Sequence, residues 1–310
     1  MTANLQNPIF TDETKAREWL EARVWPNGPV CPHCGNADPA KIKALQGKAH
    51  RPGLYQCAEC REQFTVTVKT VFERSKIPLT KWLAALFLLT ASKKGVSAHQ
   101  IHRSLDISYK SAWFMMHRLR EALRSGDLSP MGGGGKPVEV DETFYGRLEG
   151  QPKKGRSAWA NKNVVLTLVE RGGSARSFHV DGVRVVDLQP IIRANLSREA
   201  RLMTDEGASY RVIGPEFASH DTVNHSSDQY VRYWNEVTER DGKPHVETTT
   251  ITTNTVEGYY SIFKRGMKGV YQHCSEKHLH RYLAEYDFRY SNRAALGQGH
   301  RRQASHLSTA

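Results

Sequence analysis

The chain has 310 residues and carries 44 Lys and Arg against 32 Asp and Glu, which gives a formal net charge of +12. This length allows two or three domains, and the charge makes a polyanion a natural ligand, although surface lysines also serve solubility. The first ten residues lack the apolar core of a secretory signal, and the longest apolar run, Trp82 to Leu89, is too short to span a bilayer. We therefore expect a cytoplasmic protein, not embedded in a membrane, whose thiols stay reduced.

Two pairs of cysteines indicate the first domain. Cys31 and Cys34 form one C-x-x-C knuckle, Cys57 and Cys60 form the other, and short strands are predicted around the second pair at residues 54–56 and 63–68. Two knuckles present four thiolates to one ion, the closed shell that structural Zn²⁺ takes. A redox pair or two disulfides fit a reducing compartment poorly. The sequence predicts one zinc in a ribbon over residues 24–72, after an N-terminal helix or arm over residues 1–23.

A helical module is predicted over residues 77–125. The apolar run from Leu79 to Leu89 predicts a buried helix, and Ser97 and Ser108 are candidate N-caps of two further helices. The third helix begins with small, polar and basic residues, as a recognition helix does in the major groove. This pattern predicts a helix-turn-helix, with a plain three-helix packing module as the alternative. The candidate DNA contacts on the third helix are Lys110, Arg118 and Arg120.

A Gly-rich stretch over residues 126–137 lacks apolar periodicity and predicts a linker. Beyond it, alternating or β-branched runs predict strands at 138–140, 164–169, 176–180 and 202–204. Helices are predicted at 188–196, 228–237 and 254–267. These elements indicate an α/β domain over residues 138–295, opened by three consecutive strands and followed by a polar tail over residues 296–310.

Three carboxylates lie in separate local settings of this domain. Asp141 follows the first strand, Asp205 follows the strand at 202–204, and Glu257 lies near the start of the last helix. Hard divalent cations take oxygen ligands, and two of them can clamp the attacking and leaving oxygens of a displacement at phosphorus. The three acids therefore predict a two-metal phosphodiester site. The helix of Glu257 also carries candidate contacts for a phosphate backbone, of which Lys264 shares its face: Lys264, Arg265 and Lys268.

Alternatives to these ligands remain open. Alternation places Glu139 on the same face as Asp141, so the strand alone does not decide between them, although the strand end favours Asp141. The spacing of Asn254 and Glu257 matches a capping box, in which Glu257 would only accept backbone hydrogen bonds. Glu247 is a competing third acid. The histidines that suggest a second metal site are interpreted as surface or DNA-contacting residues: His220, His225, His273, His278 and His280.

Four motifs together resemble a known family. They are EVDET at residues 139–143 with Gly146, TDE at 204–206, NTVEGYYSIFKRG at 254–266 and FRYSNR at 288–293. They resemble bacterial insertion-sequence DDE transposases with an N-terminal zinc ribbon, over residues 15–295. The resemblance implies an RNase H-like mixed-sheet catalytic domain in which Asp141, Asp205 and Glu257 bind two Mg²⁺ or Mn²⁺ ions, with Lys264 contacting DNA near the cut. Members of the group have either an acid or Asn as third catalytic residue, so Asn254 remains an alternative for that role.

The same resemblance implies metal-dependent cleavage and transfer of DNA strands. Its partners would be double-stranded DNA, namely the terminal inverted repeats and the target, with a homodimer or higher oligomer assembled on them. One metal activates a water that nicks the element end, and the resulting 3′-OH then attacks the target strand at the same site. The alternative is a non-catalytic DNA-binding regulator or domesticated remnant that uses only the zinc ribbon and helix-turn-helix. An intact set of acids favours the enzyme.

Overall fold

The chain divides into two structural units between Leu123 and Arg124. The computed structural model describes residues 5–124, 126, 129–151, 159–240 and 243–293. Within those residues, no helix combines the length and the hydropathy that crossing a membrane requires. Each unit contains a sheet and helices of its own.

The N-terminal unit begins with a helix and a small antiparallel sheet. Helix α1 spans Glu13–Val24, and Asp12 caps it by accepting hydrogen bonds from two backbone N–H groups of the first turn. The sheet has the order β1-β2-β3. Its strands are β1 (Ile42–Ala44), β2 (Tyr55–Cys57) and β3 (Gln63–Phe64). The short strands around the second cysteine pair confirm the predicted ribbon layout, although the last one ends at Phe64 and not at Val68.

Three helices complete the N-terminal unit: α2 (Leu79–Ala91), α3 (Ala98–Leu105) and α4 (Tyr109–Ala122). Ser97 and Ser108 each accept a 3.1 Å hydrogen bond from the backbone N–H three residues on. Asp106, in the turn between α3 and α4, has a left-handed conformation with φ 47°. These observations confirm both predicted N-caps.

Long-range polar contacts join the ribbon and the helices into one unit. The Glu13 carboxylate, on α1, accepts hydrogen bonds from the backbone N–H (2.9 Å) and the hydroxyl of Thr80 at the start of α2. The Arg118 guanidinium, on α4, donates to the backbone carbonyls of Glu73 at 3.1 Å and Thr70 at 3.5 Å. Arg118 therefore attaches α4 to the segment that follows the ribbon.

A five-stranded mixed sheet forms the centre of the C-terminal unit. Its strands are β4 (Pro137–Tyr145), β5 (Asn163–Glu170), β6 (Ala175–Val180), β7 (Arg201–Thr204) and β8 (Ser219–Thr222). The first three are antiparallel, whereas β7 runs parallel to β4 and β8 runs parallel to β7, in the order β6-β5-β4-β7-β8. This mixed sheet agrees with the predicted RNase H-like fold.

Helices cover both faces of the sheet: α5 (Val185–Asn195), α6 (Ala208–Ile213), α7 (Asn254–Gly266) and α8 (Leu279–Ser291). Successive side chains of a strand point to opposite faces. On β5, Leu166 and Leu168 belong to the core with residues of α5 and α6, while Val165 and Val169 belong to the core with residues of α7 and α8. Burial on both faces explains why β5 is a nearly continuous apolar run.

The prediction of a helix over residues 228–237 is wrong. The structure has a two-stranded antiparallel hairpin there, in which β9 (Arg232–Arg240) and β10 (Lys243–Ile251) form nine cross-strand residue pairs. Periodicity within one segment does not show the hydrogen bonds that a second segment will supply. The dipeptide Asp241-Gly242 between the two strands is a frequent hairpin-loop sequence, and it is the signal in the sequence that points to a hairpin.

The predicted linker over residues 126–137 is only partly a linker. Met131 is 3 % exposed, forms a parallel bridge with Leu196 and belongs to the core of the C-terminal unit. Gly132 has φ 79°, and a Cβ atom there would lie 2.4 Å from the Cβ of Ala200. Only Gly allows this close approach together with a positive φ. Met131 and Gly132 are therefore packed into the C-terminal unit, which begins at Arg124.

Candidate active site and metal centre

The four predicted zinc ligands come together in the N-terminal unit. Cys31 Sγ lies 3.6 Å from Cys60 Sγ, Cys34 Sγ lies 3.7 Å from Cys57 Sγ, and all four sulfurs lie within 4.8 Å of one another. A tetrahedral ion with Zn–S bonds of about 2.3 Å requires sulfur–sulfur distances of about 3.8 Å. The donor set and its spacing therefore fit a structural zinc ion, as the sequence predicts.

Local hydrogen bonds favour the thiolate form of one of these ligands. The backbone N–H of Cys60, together with the Asn36 amide and the backbone N–H of Glu59, lowers the pKa of Cys57 to about 6 despite opposing desolvation. Asn36 Nδ2 lies 3.6 Å from Cys57 Sγ. A knuckle turns its N–H groups toward sulfur in this way, and thiolate is the form that binds zinc.

Asp141 lies within β4 and not at its end, because this strand continues to Tyr145. The pairing of β4 with β7 stops at Glu139 and Met203, so Asp141 lies just past the point where β7 ends. Asp205 directly follows β7. The parallel arrangement of β4 and β7 therefore places these two acids next to each other at one edge of their pairing.

The predicted acids act on one another electrostatically. Burial, together with the charges of Asp205 and Glu257, raises the pKa of Asp141 to about 7, while the backbone N–H of Glu142 and the charge of Lys264 lower it. The Tyr260 hydroxyl, on α7, donates to the backbone carbonyl of Asp141. Helix α7 is thus packed directly against the Asp141 segment, with its acid and its lysine both within electrostatic range.

The turn after β7 fixes the Asp205 carboxylate. Asp205 Oδ1 accepts a 2.9 Å hydrogen bond from the backbone N–H of Gly207. A Cβ atom at Gly207 would lie 2.9 Å from that same oxygen and 3.1 Å from the Tyr210 ring. The TDE-Gly sequence therefore forms a turn that only Gly completes without displacing the carboxylate.

Glu139, the alternative to Asp141, forms hydrogen bonds with the start of α7 and with Arg171. Its side chain is fully buried, and Oε2 accepts hydrogen bonds from the backbone N–H groups of Thr255 (2.8 Å) and Val256 (3.1 Å) at the start of α7. Oε1 accepts from the Thr255 hydroxyl at 2.7 Å and from Arg171 Nε at 2.6 Å. Arg171 also donates to the backbone carbonyls of Thr250 and Thr252. Both oxygens of Glu139 are therefore used to attach the start of α7 to β4.

This contact also decides the question of a capping box at α7. A capping box that begins at Asn254 would require Glu257 to accept the backbone N–H of Asn254. That N–H instead donates to the Thr252 hydroxyl at 3.1 Å, Thr253 is the N-cap, and Glu139 accepts the next two N–H groups. Glu257 is consequently not used as a cap. Its side chain is 45 % exposed, and its charge acts on Asp141.

Among the described residues, the side chains of Thr253 and His225 contact Glu257, a contact that the interpretation of His225 as a surface or DNA-contacting residue did not foresee. His225 Nε2 lies 3.4 Å from Glu257 Oε1, and the Thr253 hydroxyl donates to the same oxygen at 3.2 Å. His225 lies in a short turn between β8 and β9, where no periodic pattern places its side chain. Glu206 accepts a hydrogen bond from the backbone N–H of His225, but it lies 19 residues earlier in the chain, so the local sequence does not indicate this contact.

Comparisons with known proteins agree with this geometry. A model of the transposase zinc-ribbon domain matches residues 11–63, and a model of the ISXO2-like transposase domain matches residues 132–291, more than half of the chain. The chain belongs to the ISXO2-like transposase family. It is also similar to a Halobacterium salinarum protein described as an uncharacterized protein in transposable element ISH50, with 26 % identity over 297 residues that cover 90 % of this chain and 91 % of that protein.

The boundaries of the transposase domain follow the structure. The family match begins at Gly132, next to the first buried residue of the C-terminal unit, and ends at Ser291, the last residue of α8. It therefore contains the mixed sheet, the hairpin and all three predicted acids. The resemblance to insertion-sequence transposases with an N-terminal zinc ribbon is confirmed.

The three acids of this transposase offer the oxygen donors that Mg²⁺ and Mn²⁺ prefer. Among the described residues, the four cysteines are the only group of three or more His, Cys, Asp or Glu whose ligand atoms all lie within 4.8 Å of one another. The ligand oxygens of Asp141, Asp205 and Glu257 therefore do not all lie within 4.8 Å of one another.

The remaining predicted contacts of the transposase differ in their surroundings. Arg120 is 2 % exposed, so its assignment as a DNA contact is wrong, because a buried guanidinium cannot reach a phosphate. Lys110 is exposed near the start of α4. Desolvation lowers the pKa of Lys264, while the charge of Asp141 opposes this. Arg265 donates to the backbone carbonyl and the hydroxyl of Ser261, one turn back.

The structure also places the other predicted residues: Lys268, Glu247 and the histidines. Lys268 lies in a π-helical turn that continues α7, and its side chain is exposed. Glu247, the competing third acid, lies opposite Glu236 within the hairpin and not on α7. His220 contacts the Thr204 hydroxyl at 2.9 Å. In the described part of the chain no histidine belongs to a metal-binding cluster.

Proposed function

We propose that this transposase binds the ends of its insertion sequence and that it cleaves and transfers DNA strands by a two-metal reaction at Asp141, Asp205 and Glu257. One observation carries the proposal: burial, together with the nearby charges of Asp205 and Glu257, raises the pKa of Asp141 to about 7. A divalent cation stabilises the charged form of a buried carboxylate that other carboxylates repel.

The chain's own residues can prepare this reaction. The Gly207 N–H holds one oxygen of Asp205, and the Tyr260 hydroxyl holds the backbone of Asp141, so both acids are oriented before any ligand arrives. Lys264 lies on α7 with Glu257, where its ammonium group can pair with a phosphate next to the bond that is cut. When bound, Mg²⁺ or Mn²⁺ supplies Lewis acidity and lowers the pKa of the attacking water or 3′-OH.

We assign recognition of the element ends to the N-terminal unit. Lys110 and the aromatic side chains of Tyr109 and Phe114 are exposed on α4, the second helix of the helix-turn-helix. Basic and apolar groups at the start of such a helix can contact base edges and thymine methyl groups. An element has two ends and the chain has one catalytic site, so the proposal includes a homodimer or higher oligomer assembled on DNA.

The direct test of this function uses a labelled duplex that carries the terminal repeat of the element. With Mg²⁺ or Mn²⁺, the purified protein is expected to nick the duplex at the repeat boundary and leave a 3′-OH. With Ca²⁺, whose coordination is looser, it is expected to bind the duplex without cutting it. Binding without cleavage under every metal would instead favour a non-catalytic DNA-binding regulator.

Two substitutions on α4 separate DNA contact from folding. Lys110→Ala is expected to weaken binding of the element end and to reduce the log–log salt slope by about 1, because one phosphate contact is lost. Arg118→Ala is expected to lower the thermal stability of the N-terminal unit, because its guanidinium donates to the carbonyls of Glu73 and Thr70. Salt-dependent binding and thermal melts of both variants provide the measurement. Equal melting losses in the two variants would contradict the distinction.

Loss of one zinc ligand is expected to unfold the ribbon selectively. Zinc binding by four thiolates is coupled to folding of the ribbon, so Cys57→Ser should abolish the one zinc per chain and the binding of element ends. The C-terminal unit has its own cores and should keep its melting transition. Zinc analysis and calorimetry check both parts. Freshly purified reduced wild-type protein without zinc would contradict the assignment.

A further inference from the structure

His225, Thr253 and Glu257 form a hydrogen-bonded group next to the proposed metal ligands. His225 Nε2 lies 3.2 Å from the Thr253 hydroxyl and 3.4 Å from Glu257 Oε1. The Thr253 hydroxyl donates to Glu257 Oε1 at 3.2 Å. Both contacts meet at the same carboxylate oxygen. Among the described residues, no protein group hydrogen-bonds to the other oxygen, Oε2.

Contacts with Glu206 and Tyr230 fix the position of His225. Glu206, the residue after Asp205, accepts hydrogen bonds from the backbone N–H of His225 at 3.0 Å and from the backbone N–H of Ser226 at 3.1 Å. The His225 ring also lies 5.2 Å from the ring of Tyr230, measured between centroids. A chain of contacts therefore runs from the turn that carries Asp205 to the carboxylate of Glu257.

Thr253 is equally constrained. It is 1 % exposed and forms the N-cap position of α7, one helical turn before Glu257. Its hydroxyl can donate only one hydrogen bond, and it donates this bond to Glu257. When Nε2 carries the proton, His225 donates to the Thr253 hydroxyl at 3.2 Å, and the same nitrogen lies 3.4 Å from Glu257 Oε1. Two side chains therefore contact Oε1 although the Glu257 side chain is 45 % exposed.

We propose that His225 is a positioning residue that, together with Thr253, holds Oε1 of Glu257 and presents Oε2 to a divalent cation. This inference rests on the proposed two-metal function. Carboxylate ligands are commonly held by such outer hydrogen bonds, and losing one typically costs about 10–100-fold in metal affinity or activity. His225 also links the Asp205 turn to Glu257, so the spacing between two ligands from different elements is fixed by side-chain contact.

The test compares His225→Ala and His225→Gln with a matched control, His179→Ala, on the edge strand β6. Mn²⁺ affinity is measured by the EPR signal of free Mn²⁺, on zinc-loaded full-length protein. His225→Ala is expected to raise the Mn²⁺ dissociation constant by about 10–100-fold. His225→Gln, whose amide can donate to Glu257, is expected to recover most of the affinity. His179→Ala should behave as wild type, and all variants should retain the wild-type melting temperature and Ca²⁺-supported binding of element-end DNA.

Two outcomes would overturn the positioning role. Wild-type Mn²⁺ affinity in His225→Ala would show that Glu257 does not depend on this contact. Loss of affinity in both His225→Ala and His225→Gln would indicate that the imidazole is itself a metal ligand. Asp205→Asn in the same titration separates the two levels of the account. If Asp205→Asn binds Mn²⁺ with wild-type affinity, the proposed metal site is wrong. If Asp205→Asn loses Mn²⁺ affinity while His225→Ala keeps it, only the positioning role of His225 is wrong.

Discussion

Asp205→Asn is expected to abolish strand cleavage and transfer while leaving the binding of element ends nearly intact. The substitution keeps the shape of the side chain and its contact with the Gly207 N–H, but it removes a negative charge that a cation needs. Asp141→Asn and Glu257→Gln are expected to behave in the same way. Losing a residue that hydrogen-bonds to a metal ligand costs up to about 100-fold in activity. Losing a ligand itself should therefore lower the cleavage rate by more than about 100-fold.

Cleavage of a labelled element end by purified variants measures this effect. Asp221→Asn is a matched control, because Asp221 lies on β8 near the same region and forms a partly exposed ion pair with Arg232. Exposed pairs contribute little, so this control should cleave at nearly the wild-type rate. If Glu257→Gln cleaves normally while Asn254→Ala or Glu247→Gln does not, the assignment of the third ligand is wrong. If all three acid variants remain active, the two-metal proposal fails.

Glu139→Gln is expected to cause the largest loss of stability in the catalytic unit. Glu139 is fully buried, pairs with Arg171 and accepts the backbone N–H groups of Thr255 and Val256 in the first turn of α7. Removing one partner of a buried ion pair leaves the other uncompensated, which costs about 3–5 kcal/mol. At about 2–4 °C per kcal/mol for a domain of this size, the melting temperature should fall by roughly 6–20 °C.

Calorimetry of Glu139→Gln and of a surface control checks this prediction. Arg193→Ala removes an exposed ion pair with Glu216 in the same unit and should change stability by less than about 1 kcal/mol. A Glu139→Gln protein with an unchanged melting temperature and no activity would contradict the structural role. That result would move Glu139 to the metal site, and the choice between Glu139 and Asp141 would have to be reversed.

The features that sequence predicts well are local ones. The cysteine spacing by itself predicts four convergent thiolates, and Ser97 and Ser108 predict helix starts, because a knuckle or a cap is formed by residues a few positions apart. The parallel pairing of β4 with β7 also brings the segments that carry Asp141 and Asp205 close together. Their proximity follows from parallel pairing of two strands, which the resemblance implies and the periodicity does not.

The features that sequence misses depend on distant partners. Glu139 and Asp141 share one strand face and have the same chemistry, and only the position of α7, more than a hundred residues later, separates their roles. Arg120 belongs to a basic helix, yet it is buried. His225 has no periodic context. In each case the neighbours come from other elements, so spacing along the chain contains no information about them.

Anomalous scattering from Mn²⁺, in crystals of the protein bound to an element-end duplex, tests the central claim most directly. The account predicts two peaks roughly 3.5–4 Å apart, with oxygen ligands from Asp141, Asp205 and Glu257. Peaks that are absent from this place, or that are ligated instead by Glu139 or Glu247, would contradict it.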